Sequence, residues 1–201
     1  MPFATAALNY MLDQWGTSKA LYMSLHTAYS ATGANEVTGG SPAYARLSAT
    51  WSSASGGSKS VSGTYTFNVP ASTTVAYVGF WDALTSGNFA GMFPGGNLSA
   101  FDFTAPSSTS TLLAPGSAYT SNTAVVPFNT GGSALPTGLT VGTTYWTKSP
   151  SGDSFQVSAT AGPGSAVTLS SDGSGIIQGI VTETFGSQGT YLVSGFTVSA
   201  V

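Results

Sequence analysis

Charged side chains are scarce in this 201-residue sequence, which has four basic and seven acidic residues, about a fifth of the usual share. With a net charge of −3 and no basic cluster, the chain lacks the positive surface that duplex nucleic acid attracts, so no direct nucleic-acid partner is expected. A freely diffusing protein ordinarily needs more surface charge to stay soluble. The composition therefore favours a protein that is packed among neighbouring subunits, and we expect a homo-oligomer.

Cysteine is absent, which excludes a disulfide scaffold, a thiol nucleophile and a zinc knuckle. The chain has one histidine, so a Ser-His-Asp hydrolase has a single candidate base, and no G-x-S-x-G or P-loop motif is present. Asp82 and Asp102 are candidates for a glycosidase-like carboxylate pair, although turn and edge positions explain them better. We therefore expect no enzyme, no metal site and no cofactor.

Long hydrophobic runs are also missing, since none approaches the ~20 residues that a membrane span needs. No basic region followed by an apolar core is visible at the start, so no targeting segment is expected. We also expect no membrane partner, and we expect the protein to be assembled in the cytoplasm. The chain does have ample core material, with 4 Trp, 9 Tyr and 11 Phe. It is therefore expected to fold rather than to be disordered.

Hydrophobic periodicity predicts one helix and many strands. Apolar spacing, with Gly16 as the ending residue, predicts a helix over Pro2–Trp15. The remaining patterns predict mainly β structure, in which FWDALTSG and NFAGMF form a hairpin. The predicted strands are Leu21–His26, Ala43–Trp51, Thr64–Val69, Thr74–Trp81, Ser99–Thr104, Ala124–Phe128, Leu135–Val141, Thr144–Lys148, Phe155–Ser158, Val167–Leu169 and two near the C-terminus.

The stretch from Ser24 to Arg46 concentrates the rare side chains. It holds the only histidine, His26, one of two glutamates, Glu36, and the only arginine, Arg46. A planar guanidinium and a carboxylate most economically pair through two hydrogen bonds. Glu36 and Arg46 are therefore predicted to form an ion pair that pins a long ordered loop, Thr27–Pro42. His26 is predicted to be a satisfied strand-end residue. A catalytic or ligand-binding role for the three is the alternative.

Three blocks of the sequence resemble structural proteins of tailed bacteriophages. The block LHTA…GANEV.GG..YAR, Leu25 to Arg46, resembles a segment of such proteins, and FWDALTSGNFAG resembles their second recurring block. The run TGL..GTTY followed by FQ.SAT resembles a small β module of phage tail and virion proteins. The resemblance implies a virion structural protein, and a head decoration or minor capsid subunit is placed slightly ahead of a tail or tail-fibre component. The implied partners are the major capsid protein or other virion proteins.

The amino-acid composition changes near Pro106, and the strand pattern of residues 176–201 is again similar to that of the segment before Pro106. We therefore predict an antiparallel β-sandwich or jelly-roll-like domain with one N-terminal helix, formed by residues 1–106 and 176–201. A small inserted β domain is predicted over residues 107–175. A carbohydrate-binding β-sandwich adhesin is a further alternative, in which exposed Trp51, Tyr145 and Trp146 stack on a host-surface glycan. Exposure of those rings discriminates the two functions.

Overall fold

One helix and sixteen strands form the regular structure of this computed structural model, which describes residues 3–107, 109–130 and 132–199. The chain divides into unit 1, which runs to Phe93 and resumes at Thr182, and unit 2, Pro94–Val181. Within the described residues, no helix is long and apolar enough to cross a lipid bilayer. The elements are α1 (Thr5–Ser18), β1 (Tyr22–His26), β2 (Leu47–Ser48), β3 (Ser58–Ser60), β4 (Thr64–Val69), β5 (Thr73–Val75), β6 (Tyr77–Trp81), β7 (Phe89–Pro94), β8 (Ala100–Ala105), β9 (Leu112–Leu113), β10 (Ala124–Phe128), β11 (Tyr145–Ser151), β12 (Ser154–Ser158), β13 (Gly173–Gly179), β14 (Glu183–Phe185), β15 (Gly189–Ser194) and β16 (Thr197–Ser199).

Helix α1 extends past the glycine that was predicted to end it. Gly16 is buried, and a Cβ placed on it would collide with the Lys59 side chain, so the glycine permits close packing instead of a turn. The helix ends where the backbone N–H groups of Lys19 and Ala20 both donate to the Trp15 carbonyl, at 2.9 Å each. The predicted start at Pro2 lies outside the described residues.

Strands β1 and β6 are the centre of a four-stranded sheet in unit 1, with the order β2-β1-β6-β7. The predicted hairpin of β6 and β7 is confirmed. Met23, Ser24, Leu25 and His26 are all fully buried, so β1 is covered on both faces and not on the one face that its alternation suggested. The predicted strand Ala43–Trp51 is wrong except at Leu47–Ser48.

A ribbon of three antiparallel strand pairs packs against this sheet. The pairs are β3 with β16, β4 with β15 and β5 with β14. Side chains of the sheet, such as Met23 and Phe80, share one buried cluster with Phe67 and Val193 of the ribbon. The mainly antiparallel β fold with one helix is confirmed, and it is built from short, interrupted strands.

Unit 2 is a closed six-stranded antiparallel barrel with the order β10-β11-β12-β9-β8-β13. Its core includes Phe103, Leu112, Val125, Phe155 and Ile177. The sequence predicted a small sheet of four strands, and two of those strands are wrong. Leu135–Val141 and Val167–Leu169 are not strands, because the first contains Pro136 and a glycine at φ +115, and the second makes only an isolated bridge beside it, at Ala166.

The boundaries of unit 2 differ from the segment that the sequence analysis marked as an insertion. Strand β8 precedes residue 107, yet it pairs along its whole length with β13, from Gly173↔Ala105 to Gln178↔Ala100. Both strands are therefore parts of the barrel. Composition shifts near Pro106, but the barrel already begins one strand earlier.

Candidate functional site

Arg46 and Glu36 form a two-point ion pair at the mouth of the long loop in unit 1. The Nε of Arg46 donates to Glu36 Oε1 at 2.8 Å, and one terminal nitrogen donates to Oε2 at 2.7 Å. The side chains are only 9% and 18% exposed, so little water screens the pair. The geometry is the bidentate arrangement in which a guanidinium binds a carboxylate most strongly.

The remaining terminal nitrogen of Arg46 holds the β6–β7 turn. It donates to the carbonyl oxygens of Ala83 at 3.0 Å and Ser86 at 2.7 Å. The guanidinium carbon also lies 3.7 Å from the centroid of the Trp81 ring, a cation–π contact. One side chain therefore joins the loop, the turn and the central strand of the sheet.

Tyr44 extends this network into the sheet. Its hydroxyl donates to Glu36 Oε1 at 3.2 Å and accepts the backbone N–H of Leu25 at 2.8 Å. Burial raises the pKa of the Tyr44 hydroxyl well above its usual range, so the group stays protonated and can donate. The ring stacks on Phe67 with an interplanar angle of 18°.

His26 is fully buried and uses both of its ring nitrogens. Nδ1 lies 2.9 Å from the Ala34 carbonyl oxygen, and Nε2 lies 2.8 Å from Ser24 Oγ. A carbonyl oxygen only accepts, so Nδ1 carries the proton and a neutral Nε2 accepts from the serine hydroxyl. Ser24 Oγ in turn accepts the indole N–H of Trp81 at 3.0 Å. The chain of hydrogen bonds is complete with a neutral imidazole.

The surroundings of His26 lower the pKa of its ring. Burial is the largest cause, and Arg46 adds a smaller lowering effect, while the Ala34 hydrogen bond and Glu36 act in the opposite direction. A second proton on the ring would force Nε2 to donate to Ser24 Oγ, which already accepts from Trp81. Protonation would therefore displace the serine hydrogen from its acceptor.

The pairing of Ser24 with His26 resembles a nucleophile and its base only in composition. Ser24 has no exposed surface, and its hydroxyl oxygen lies between the imidazole and the indole. The carboxylate of Glu36 binds Arg46, whereas Nδ1 of the histidine binds a backbone carbonyl. The arrangement fixes the loop Thr27–Pro42 against β1, with Val37 N–H donating to the Leu25 carbonyl at 2.9 Å.

Two glycines permit this packing, and the sequence analysis did not single them out. A Cβ on Gly79 would lie 2.7 Å from Ser24 Oγ, and a Cβ on Gly33 would lie 2.7 Å from a ring carbon of Phe89. Gly33 also has φ +80, a conformation that favours glycine. The available signal was a glycine inside the apolar strand TVAYVGFW, which often marks a close approach.

The aromatic residues considered for glycan stacking do not form an open row. Trp51 is half-buried, donates its indole N–H to the Ala20 carbonyl at 2.7 Å, and packs edge-on to Trp15. Tyr145, in the other unit, is 5% exposed and belongs to the barrel core. Trp146 is half-buried on β11. The exposure that the adhesin hypothesis required is therefore absent at Tyr145 and reduced at both tryptophans.

The two aspartates that were considered as a catalytic pair belong to different units, Asp82 to unit 1 and Asp102 to unit 2. Asp82 accepts the backbone N–H of Asn88 at 2.6 Å and its side-chain amide at 2.7 Å, which lowers the pKa of the carboxyl group. Asp102 is exposed on β8 of unit 2. Within the described residues, no group of three or more His, Cys, Asp or Glu side chains could hold a metal ion.

Comparison with known proteins places the first part of the chain near a phage fibre family. Residues 3–94, just under half of the chain, match a family model described as podophage GP4 fiber I protein gp80. No curated protein and no solved structure matches the chain. The match supports a structural protein of a bacteriophage virion, in agreement with the resemblance found in the sequence.

Proposed function

We propose that this protein is a structural component of a phage tail fibre, present in several copies and in contact with other virion proteins. The observation that carries the proposal is the match of residues 3–94 to a podophage fibre family. The matched range contains helix α1, the loop bound by Arg46 and the β6–β7 hairpin. These elements belong to unit 1.

The tail fibre replaces the head decoration subunit that the sequence analysis placed first. Nothing in the family match favours the head, whereas the matched family is described as a fibre protein. The low charge that first suggested packing among subunits fits a fibre as well as it fits a capsid lattice. The tail-fibre alternative is therefore the better proposal.

The network around Arg46 suits such a role, because a subunit under mechanical load benefits from loops that are fixed at several points. Arg46 joins Glu36, the β6–β7 turn and Trp81. Loops that lack such contacts open at low free-energy cost. The network is thus proposed as a structural clamp.

Fractionation of purified virions tests the proposal. Heads and tails are separated after osmotic or chemical disruption, and each fraction is analysed by quantitative mass spectrometry. Peptides of this chain are expected in the tail fraction, and gold-labelled antibody against the purified chain is expected on the fibres in electron micrographs. A known major capsid protein serves as the control for head contamination.

Two results would overturn the proposal at different levels. Recovery of the chain only in the head fraction would reject the fibre and favour a decoration subunit. Absence from purified virions would reject a structural virion role altogether.

A further inference from the structure

The barrel of unit 2 is closed between β8 and β9 by a single residue pair, Thr104↔Leu113. On its other side, β8 pairs with β13 along its whole length, from Ala105 to Ala100. Within the described residues, the first part of β8, residues 100–103, therefore has a strand neighbour on one side only. The opposite side of this segment is an open strand edge.

The alternation of an antiparallel ladder shows which main-chain groups lie on this open edge. The N–H of Ser174, the residue of β13 opposite Thr104, donates to the Ala134 carbonyl at 3.1 Å and therefore points away from β8. Residues of such a ladder direct their N–H and C=O groups alternately to one side and the other. Ala100 and Asp102 thus direct theirs away from β13, as Thr104 does. Both residues are exposed, and no backbone hydrogen bond among the described residues reaches these groups.

Proline explains why the chain does not close this edge itself. If β9 continued in the register of Thr104↔Leu113, Pro115 would lie opposite Asp102. Proline has no N–H to donate to the Asp102 carbonyl, so the ladder cannot continue. The chain turns away instead, and the N–H of Ser117 donates to the Ala114 carbonyl at 3.1 Å. An exposed edge of this kind pairs readily with an extended segment of another chain.

The surface beside the edge favours a basic side chain. A depression of about 310 Å³ adjoins Asp102 and is lined in part by Leu113 and Pro115. A residue added opposite Asp102 would place its side chain on the same face as the Asp102 carboxylate. The aliphatic stem of a lysine or arginine can lie along Leu113 and Pro115 while its charged end meets that carboxylate.

The charges of unit 2 favour the same kind of partner. The unit contains three carboxylates and one basic side chain, Lys148, whose ammonium donates to the Gly164 carbonyl. A segment with a basic residue therefore complements the net charge of the barrel, whereas an acidic segment would be repelled.

A second copy of this chain is a poor source of the basic residue. Arg46 is paired with Glu36, and Lys59 is 3% exposed and paired with Asp13. Lys19 directly follows helix α1, so it does not lie on an extended segment. With Lys148 bound inside the barrel strand β11, these are all the basic residues of the sequence.

We propose that the open edge of β8, at Ala100 and Asp102, binds an extended segment of another virion protein that carries a lysine or arginine opposite Asp102. The added segment forms main-chain hydrogen bonds with Ala100 and Asp102 and places its basic side chain in the depression beside Pro115. The inference rests on the proposed function, because it names how this chain contacts other virion proteins.

Binding of a synthetic peptide to the purified full-length chain tests the edge. The probe is a fluorescently labelled peptide of alternating valine and threonine with one central lysine, and its anisotropy is measured during titration with the chain. A peptide with glutamate in place of the lysine is expected to bind more weakly. A peptide of the same sequence with N-methylated backbone amides is expected not to bind, because it cannot form the main-chain hydrogen bonds.

Two variants of the chain locate the binding site. Asp102→Asn is expected to weaken binding of the lysine peptide by about two- to fivefold, the usual effect of losing one exposed ion pair. Glu183→Gln, which removes one negative charge from an exposed position on β14, is the matched control and is expected to leave binding unchanged. Ala100→Pro removes an edge N–H that β13 does not use and is expected to abolish binding. Circular dichroism melts verify that each variant is folded.

Zero-length cross-linking identifies the source of the segment in purified virions. A carbodiimide couples a carboxylate to a lysine amine that it touches, with loss of water. Mass spectrometry is expected to find Asp102 joined to a lysine of a different virion protein, and the Asp102→Asn virion is expected to lack this product. A cross-link from Asp102 to a second copy of this chain would overturn the proposed partner.

The outcomes separate this inference from the fibre function. Failure of the lysine peptide to bind, binding that is equal for the glutamate and N-methylated peptides, or binding that a folded Ala100→Pro variant retains overturns the edge site. None of these results changes the recovery of the chain in the tail fraction. Absence of the chain from virions would reject another virion protein as the partner, together with the fibre proposal, while a measured peptide complex would stand.

Discussion

The guanidinium carbon of Arg46 lies 3.7 Å from the ring centroid of Trp81. The indole N–H of the same tryptophan donates to Ser24 Oγ at 3.0 Å, so the ring is held from its edge by β1 and from its face by the arginine. Lysine has neither the planar fork that binds Glu36 at two points nor the flat surface that stacks on an indole. Arginine is therefore required here for its shape as well as for its charge.

Replacement of Arg46 is expected to lower the stability of unit 1. Arg46→Ala leaves Glu36 partly buried without its partner, and breaking such a pair on one side commonly costs ~3–5 kcal/mol. Arg46→Lys is expected to lie between the wild type and alanine. Chemical denaturation of the purified chain measures the change.

Lys19→Ala is the matched control for the loss of one positive charge, since Lys19 is exposed just after α1. Its unfolding free energy is expected to change by less than ~0.5 kcal/mol. An Arg46→Ala variant as stable as Lys19→Ala would show that the ion pair contributes nothing to folding.

Stability is expected to fall as the pH drops below about 6.5. Burial lowers the pKa of His26 from 6.5 in the folded chain, so below pH 6.5 the unfolded chain takes up a proton that the folded chain does not. The stabilising effect of the neutral ring is complete above pH 6.5 and is lost progressively toward the folded pKa. Asp13 and Asp82, whose pKa values are lowered from 3.8, contribute only in a separate, more acidic window.

Proton NMR of the single imidazole measures this directly, because His26 is the only histidine in the chain. Its ring signals should titrate with a midpoint below 6.5 in the folded protein and near 6.5 in urea. A folded midpoint above 6.5 would mean that the ring is stabilised in its charged form and would contradict the assigned hydrogen bonds.

Gly33→Ala is expected to be more destabilising than Gly39→Ala. Both glycines have similar positive φ values, +80 and +87, so the backbone cost of an added Cβ is similar. A Cβ at Gly39 meets nothing within 4 Å, whereas at Gly33 it collides with Trp81 and Phe89. The difference between the two melting temperatures reports packing alone, and overpacking typically costs ~1–3 kcal/mol. Equal losses would mean that the loop shifts freely.

Two deletions test where the barrel begins. Removing residues 94–181 and joining the ends with a short Gly-Ser linker is expected to leave unit 1 with a cooperative melt. The ends of the removed segment lie together, since Val181 N–H donates to the Gly95 carbonyl at 2.9 Å. Removing residues 107–175 instead leaves β8 without β9 and with only the last four residues of β13, and it is expected to expose apolar surface and cause aggregation. The opposite ranking of the two variants would contradict this division.

Local patterns in the sequence were sufficient for some elements and for the choice of candidate residues. The strands Thr64–Val69 and Ala124–Phe128 were predicted with the bounds that the structure has. The Glu36–Arg46 pairing followed from the chemistry of the two groups, because the chain offers no other guanidinium. Each of these inferences depends only on residues that are close together in the sequence or on arginine, a residue type that occurs once in it.

Contacts between distant residues could not be inferred in this way. TVAYVGFW reads as one strand, yet the structure divides it at Ala76, whose N–H donates to the His26 carbonyl while Val75 pairs with Glu183. The burial of Ser24 depends on Trp81, 57 positions away. The hydrophobic periodicity of one sequence carries no information on such distant partners. The division of the strand at Ala76 and the buried hydrogen bond between Trp81 and Ser24 therefore appear only in the folded protein.

The hydrogen bond between Val181 and Gly95 has a consequence for how such chains diversify. A segment whose two ends already meet adds little loop-closure entropy to the host into which it is inserted, whatever its length. The family match stops at residue 94, where unit 2 begins. Related chains are therefore expected to keep both parts of unit 1, up to Phe93 and from Thr182, while the barrel between them is exchanged, shortened or lost.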